Sequence, residues 1–221
     1  CGIKVLTMKD KPVDVPIDLV IPSTYNNKPV VKIEKLQNTQ GVEQLVIPES
    51  VTEIAKGAIN GTSSLKLIEL PFIGQNAKAK TDFNSIFSGA PTELTVVISG
   101  GTKVKTNAFS GLEYIKEVQL PHTIEIIDRN AFLNVKNMTT LTIADSEKEP
   151  SKLTEVGADA FNGCAKLTNV TFPNSLIKLG KSAFKGCTSL TNMTFPSAIT
   201  VLPESLFEGC TALEIVSLKS T

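Results

Sequence analysis

The chain has 221 residues, of which 41% are hydrophobic, and its 22 basic and 22 acidic side chains cancel to a formal net charge of zero. That apolar share belongs to a folded chain and excludes a disordered one. The balanced charge, with no basic stripe, argues against nucleic-acid binding. No Lys/Arg cluster reads as a membrane-surface patch, and the apolar runs are strand-sized, too short to span a bilayer.

Residues 1–18 read as an N-terminal cap or lead-in strand. The opening Cys1-Gly2 has two readings, the lipid-bearing mature end of a bacterial lipoprotein precursor or an arbitrary boundary. Leu19-Val20-Ile21-Pro22 is a first strand, followed by an enlarged turn at Ser23–Pro29. Val42 then opens a unit with Leu45, Ile47, Pro48, Val51, Ile54, Ala58 and Gly61 in register. Leu65 opens the next, with Ile68, Leu70 and Pro71, and carries an insert near 72–86 before Phe87-Ser88-Gly89. Leu94 begins a shortened copy that ends at Phe109-Ser110-Gly111. Ile115 starts a regular copy through Val118, Leu120, Pro121, Ile124, Ile127, Ala131 and Phe132. Met138 begins one lengthened by a polar insert near 144–154.

The last third states the rule most clearly. Leu167-Thr-Asn-Val-Thr-Phe-Pro173 recurs 23 positions later as Leu190-Thr-Asn-Met-Thr-Phe-Pro196. The same shift relates Ala160-Phe161-Asn-Gly163-Cys164, Ala183-Phe184-Lys-Gly186-Cys187 and Leu206-Phe207-Glu-Gly209-Cys210. Leu213, Val216 and Leu218 form the last strand.

Each unit has a physical logic. Apolar side chains alternate over Val-x-Phe or Leu-x-Ile, the period-2 pattern of a half-buried strand. Proline follows, and with no N–H and a fixed φ it ends the ladder and turns the chain. A second apolar pair, such as Leu176 and Leu179, points back inward, and the Phe step closes the coil. One coil cannot bury these side chains alone; stacked coils share a core. The predicted fold is therefore an α/β-type solenoid, mostly β, spanning residues 19–221 in about eight repeats. It is a right-handed leucine-rich-repeat coil with a parallel sheet on one face and short turns or second strands on the other. Strands are expected at 45–47, 68–70, 118–120, 141–143, 170–172, 193–195 and 216–218, in one sheet. The two inserts should bulge from the outside of turns.

With those motifs laid out, the sequence resembles the BspA-like leucine-rich repeats of bacterial and protist surface proteins. The resemblance rests on Leu-x-x-Val-x-Phe-Pro, on Ala-Phe-x-Gly-Cys and on the opening Leu19–Ile33, and it covers about residues 19–218. Ile59 departs from the pattern in place of Phe, and Thr62 and Val135 in place of Cys. The resemblance implies a secreted or surface-attached protein used in adhesion or macromolecular binding. It implies no catalytic residues.

Residues that could carry chemistry are few. Cys164, Cys187 and Cys210 recur at the repeat period and read as a ladder of reduced, buried thiols acting as small hydrophobes. No C-x-x-C or Cys/His cluster suggests a metal, and no cofactor is expected. His122, the only histidine, follows Pro121 and reads as a surface-turn residue. Asp145-Ser-Glu-Lys-Glu-Pro150 reads as a solvated insert, because a calcium loop needs a Gly turn and a bidentate Glu.

Strand positions facing away from the core form a strip low in charge: Gln44, Glu69, Glu117, Gln119, Thr140, Thr142, Asn169, Thr171, Asn192 and Thr194. They are either solvent-side residues with β propensity or the surface that binds a partner. The partner expected for such a ladder is a protein or glycan on a host or neighbouring cell, with membrane contact only through a lipid on Cys1. The alternatives are a structural spacer within a larger surface protein and, for want of any motif less favoured, a hydrolase.

Overall fold

The computed structural model of the chain describes residues 6–7, 17–37, 39–77 and 82–219. Cys1 and most of the lead-in segment lie outside them. The chain divides into two compact units, Cys1–Gly100 and Gly101–Thr221. Each is a mostly-β solenoid with no α-helix among the described residues, only 3-10 turns at Thr62–Ser64 and Phe83–Ile86.

In the first unit four strands run parallel: β1 (Ile17–Val20), β2 (Val42–Val46), β3 (Leu67–Leu70) and β4 (Leu94–Ile98). Strict alternation sets the register. Leu45, Ile68 and Val96 point inward and are fully buried, each opposite the next. The enlarged turn after β1 is a β-hairpin, Thr24–Tyr25 against Lys28–Pro29. Asn26 and Asn27 both take positive φ, 48° and 58°, as a tight two-residue hairpin turn requires.

The insert of this unit is only partly external. Phe72, Ile73, Phe83 and Ile86 are buried, and the Gln75 carbonyl accepts a hydrogen bond from the Ile54 N–H of an earlier coil. The apolar content of the insert explains this, because four large hydrophobic side chains gain more by joining the core than by staying in water. A small cavity of about 10 Å³ lies between Thr39, Val42, Leu45, Ile59, Thr62 and Leu65, where Ile59 and Thr62 stand in place of the repeat's Phe and Cys.

The second unit holds β5 (Ile115–Leu120), β6 (Thr140–Ile143) and β7 (Asn169–Val170), again parallel and in register through Val118, Leu141 and Val170. Beyond the turn or insert that follows each main strand, its coils add short second strands, Lys103–Val104, Ile126–Ile127, Glu155–Val156 and Lys178–Leu179, paired in that order. One expectation needs correction. β8 (Asn192–Phe195) pairs with β9 (Ile215–Leu218) and not with β7, so the ladder of this unit is interrupted. β7 is only two residues long, and the Phe172 carbonyl beyond it accepts a hydrogen bond from Lys219 Nζ at 3.2 Å.

The core of the second unit is a phenylalanine stack. Ring centroids of successive partners in the series Phe109, Phe132, Phe161, Phe184 and Phe207 lie 5.0 to 5.8 Å apart. Backbone bonds lock the same step: Phe132 N–H donates to Ala160 O and Phe161 N–H to Ala183 O, both at 2.8 Å. Each Phe step is entered through a left-handed residue two positions earlier, Asn107, Asn130, Asp159, Ser182 or Ser205, with φ of 54° to 58°. Short polar side chains tolerate that region better than branched or bulky ones. Glycine 23 residues apart is demanded elsewhere for close approach: a Cβ on Gly157 would lie 2.5 Å from Arg129 N, and one on Gly180 would collide with Ala158 N.

Candidate functional site

The alternation that buries one set of strand residues sends the other set to the opposite side. In the first unit, register aligns two outward rows. One is Asp18, Gln44, Leu67 and Thr95; the other is Val20, Val46, Glu69 and Val97. Gln44 is exposed, Glu69 half-buried, and Val20 63% exposed. Sequence reasoning singled out Gln44 and Glu69 here but not Val20 or Val97. The signal was present, since Val20-Ile21-Pro22 matches Val46-Ile47-Pro48 position for position.

In the second unit Glu117, Thr140 and Asn169 align across β5, β6 and β7, and Gln119 aligns with Thr142. The Asn169 side chain lies outside what the structure describes. Gln119 Nε2 donates to Glu117 Oε1 at 3.0 Å, so these two act as one polar group. Thr142 and Thr171 are exposed and Thr140 is half-buried. On β8, Asn192 and Thr194 are exposed while Met193 and Phe195 are buried. The Thr194 and Ser217 hydroxyls lie 2.9 Å apart across to β9. The face of the second unit is thus hydroxyl- and amide-rich, whereas that of the first is aliphatic with carboxylates. The interruption after β7 separates Thr171 from the ladder that holds Asn192 and Thr194.

The flanks of the coils are held by ion pairs at the repeat spacing: Lys66–Glu43, Lys136–Glu113 and Lys178–Glu155 at 2.9 Å, Lys181–Glu204 at 2.8 Å, and Lys185–Glu208 at 2.7 Å. These are exposed pairs of modest energetic weight.

The three repeat cysteines are free, Cys164 and Cys187 buried and Cys210 half-buried. Each thiol donates to the backbone carbonyl of the phenylalanine one coil back: Cys164 to Phe132, Cys187 to Phe161 and Cys210 to Phe184, at 3.0 to 3.2 Å. They therefore fill the core and satisfy a carbonyl there. Burial pushes the Cys164 thiol up to about 12. Cys187 is raised by its hydrogen bond to Cys210 and by burial. Its proton can turn from Phe161 O to the Cys210 sulfur, which holds the Cys210 thiol below its usual value.

His122 sits in the turn after β5, its Nδ1 3.9 Å from Glu149 Oε2 of the polar insert. That insert is tied down locally, with Ser151 N–H donating to Asp145 Oδ1 at 2.9 Å. Among the described residues, no group of three or more His, Cys, Asp and Glu is placed to hold a metal ion. No helix of the described residues is long and apolar enough to cross a membrane.

Comparison with known proteins adds a family. The model of the BspA type leucine rich repeat region matches residues 31–149 and 146–221, in six copies. None of the curated proteins matches the chain significantly. Among solved structures, a leucine-rich repeat protein of T. pallidum is 20% identical, with 97% of this chain and 77% of that one covered and a TM-score of 0.47. A leucine rich cell surface protein from Faecalibacterium prausnitzii A2-165 is also 20% identical, over 92% of this chain and 88% of that one, at a TM-score of 0.29. The pneumococcal vaccine antigen PcpA is 22% identical over 84% of this chain and 42% of its own, at 0.39.

Proposed function

Since the chain belongs to the BspA-type leucine-rich repeat family, we propose that it is a non-catalytic binding module. It works at the cell surface or after secretion and recognises a protein or glycan of a host or neighbouring cell through the outward faces of its sheets. One observation carries this reading: the outward rows place side chains in register on consecutive strands, such as Glu117 and Thr140, Gln119 and Thr142, or Gln44 and Leu67. A row of this kind repeats at the inter-strand spacing of about 4.8 Å and suits an extended ligand. Each hydroxyl or amide contributes only about 1 kcal/mol, so affinity comes from many acting together. The flat, row-like display suits a macromolecule better than a small substrate, which favours concave sites. A catalytic reading has less support. His122 faces the carboxylate of a solvated insert, and the repeat thiols are spent on core carbonyls.

The test is binding of the purified chain, immobilised, to a panel of extracellular-matrix proteins and host glycans by interferometry. Saturable binding to a member of the panel supports the reading. Turnover of a substrate in a hydrolase screen, with no binding, overturns it.

A further inference from the structure

The first unit carries a surface whose chemistry differs from the hydroxyl- and amide-rich strip. Val20, Val46 and Val97 occupy one row across β1, β2 and β4, with Glu69 of β3 set between Val46 and Val97. Beside that row stand Asp18, Gln44, Leu67 and Thr95. Neither the Asp18 nor the Glu69 carboxylate has an ion-pair or hydrogen-bond partner among the described residues, although the neighbouring Glu43 is neutralised by Lys66 at 2.9 Å. No cation shares either row. Next along the chain from Val20, the hairpin at Thr24–Pro29 presents Tyr25, 60% exposed, on a turn fixed by two left-handed asparagines.

We infer that the Val20–Val46–Glu69–Val97 face of the first unit docks an extended polypeptide whose facing side chains alternate between aliphatic and basic. Charge complementarity selects this occupant. Val20 is exposed and Val46 and Val97 are half-buried, so the aliphatic surface they leave to water gains by meeting aliphatic groups. Two unpaired carboxylates among them repel an acidic partner and attract Lys or Arg. An extended chain places side chains on one face about 6.6–6.8 Å apart, two strand residues on, so aliphatic and basic groups can engage the valines and the carboxylates in turn. A neutral or acidic glycan offers neither the aliphatic groups nor the positive charge. A rigid exposed tyrosine adds contact area at low entropic cost. This rests on the binding-module reading and narrows it to one unit and one partner chemistry.

The probe is the peptide Val-Ser-Lys-Ser-Val-Ser-Lys-Ser-Val-Ser-Lys, fluorescently labelled and titrated with the intact chain at low salt. Two control peptides carry Glu for Lys, or Ser for Val. Saturable binding of the first peptide alone is expected. Asp18→Asn with Glu69→Gln, and separately Val46→Thr with Val97→Thr, should each weaken it by about tenfold or more. Glu147→Gln with Lys148→Gln, exposed in the polar insert of the second unit, should leave it unchanged, and circular dichroism checks that each variant is folded. Added salt should weaken the interaction through the charge pairs. The inference is overturned if the peptide does not bind, if the Ser-for-Val control binds equally well, or if the second-unit variant loses binding as much as the first-unit ones. Those results leave the broader reading standing when a panel partner still binds through the second unit; substrate turnover in the hydrolase screen, with neither peptide nor panel partner bound, sinks the broader reading as well.

Discussion

Phe184 lies parallel to Phe161, ring centroids 5.3 Å apart and planes within 9°, and it meets Phe207 on its other side at 5.8 Å. It is fully buried, so Phe184→Ala removes an aromatic ring from two interfaces at once and leaves a cavity. The expected loss is about 3–5 kcal/mol by chemical denaturation. Because adjacent coils are coupled, hydrogen exchange should quicken in the coils of Phe161 and Phe207 as well. An unchanged denaturation midpoint would contradict the stacked core.

That stack was legible in the sequence because Phe161, Phe184 and Phe207 recur at a fixed spacing, as do the prolines that end the strands. The column of left-handed residues was not. Asn130, Asp159 and Ser182 differ from one another, and their shared property is backbone tolerance, not side-chain identity. The insert near 72–86 misled for a related reason: an insertion into a repeat is read as external, yet Phe83 and Ile86 supply core that the repeat itself does not. The break after β7 left no trace in the sequence, since Thr171-Phe172-Pro173 matches Thr194-Phe195-Pro196. The outward face was legible as positions through alternation, but its division into an aliphatic and a hydroxyl-rich half required the registers.

Ile59 shows where the repeat consensus is the wrong choice. Restoring the consensus by Ile59→Phe puts a longer planar ring at a buried site shaped for a β-branched side chain, with only a water-sized cavity beside it. The substitution should destabilise by about 1–3 kcal/mol through overpacking. A rise in melting temperature would show that the local coil relaxes to accept the ring.

The glycines divide by what surrounds them. Gly180→Ala drives a methyl group into the backbone of Ala158 and should cost about 3 kcal/mol or more. Gly111→Ala meets nothing within 4 Å and carries only the penalty of its φ of 73°, about 1 kcal/mol. Equal losses for the two would refute the close contact between the 157 and 180 coils.

The thiols give a pH dependence. Cys164 titrates at about 12 in the folded chain, above its unfolded value of about 8.5. The stability it contributes is complete below the unfolded value and is lost as pH rises through the folded one. Cys164→Val, the residue type that Val135 already places one coil back, should therefore lessen the decline in stability from about pH 9 to 12. In the native chain at mild alkaline pH a thiol reagent should label Cys210 first and leave Cys164 and Cys187 protected, as mapped by peptide mass. Rapid labelling of Cys164, or an unchanged pH slope, would contradict its burial as a neutral thiol.

Recognition by the sheet faces is tested most directly by comparing two charge-changed variants for binding to whichever panel partner the native chain captures. The first carries Gln44→Lys, Thr142→Lys, Thr171→Lys and Thr194→Lys, all exposed, three of them in strands and Thr171 next after β7. The second carries Asp145→Lys, Glu147→Lys and Glu149→Lys in the polar insert. Both sets lie away from the core, so both variants should fold with near-native stability. The face variant should lose binding while the insert variant keeps it. Loss of binding in the insert variant, with the face variant intact, would place recognition in the loops and contradict the sheet-face reading.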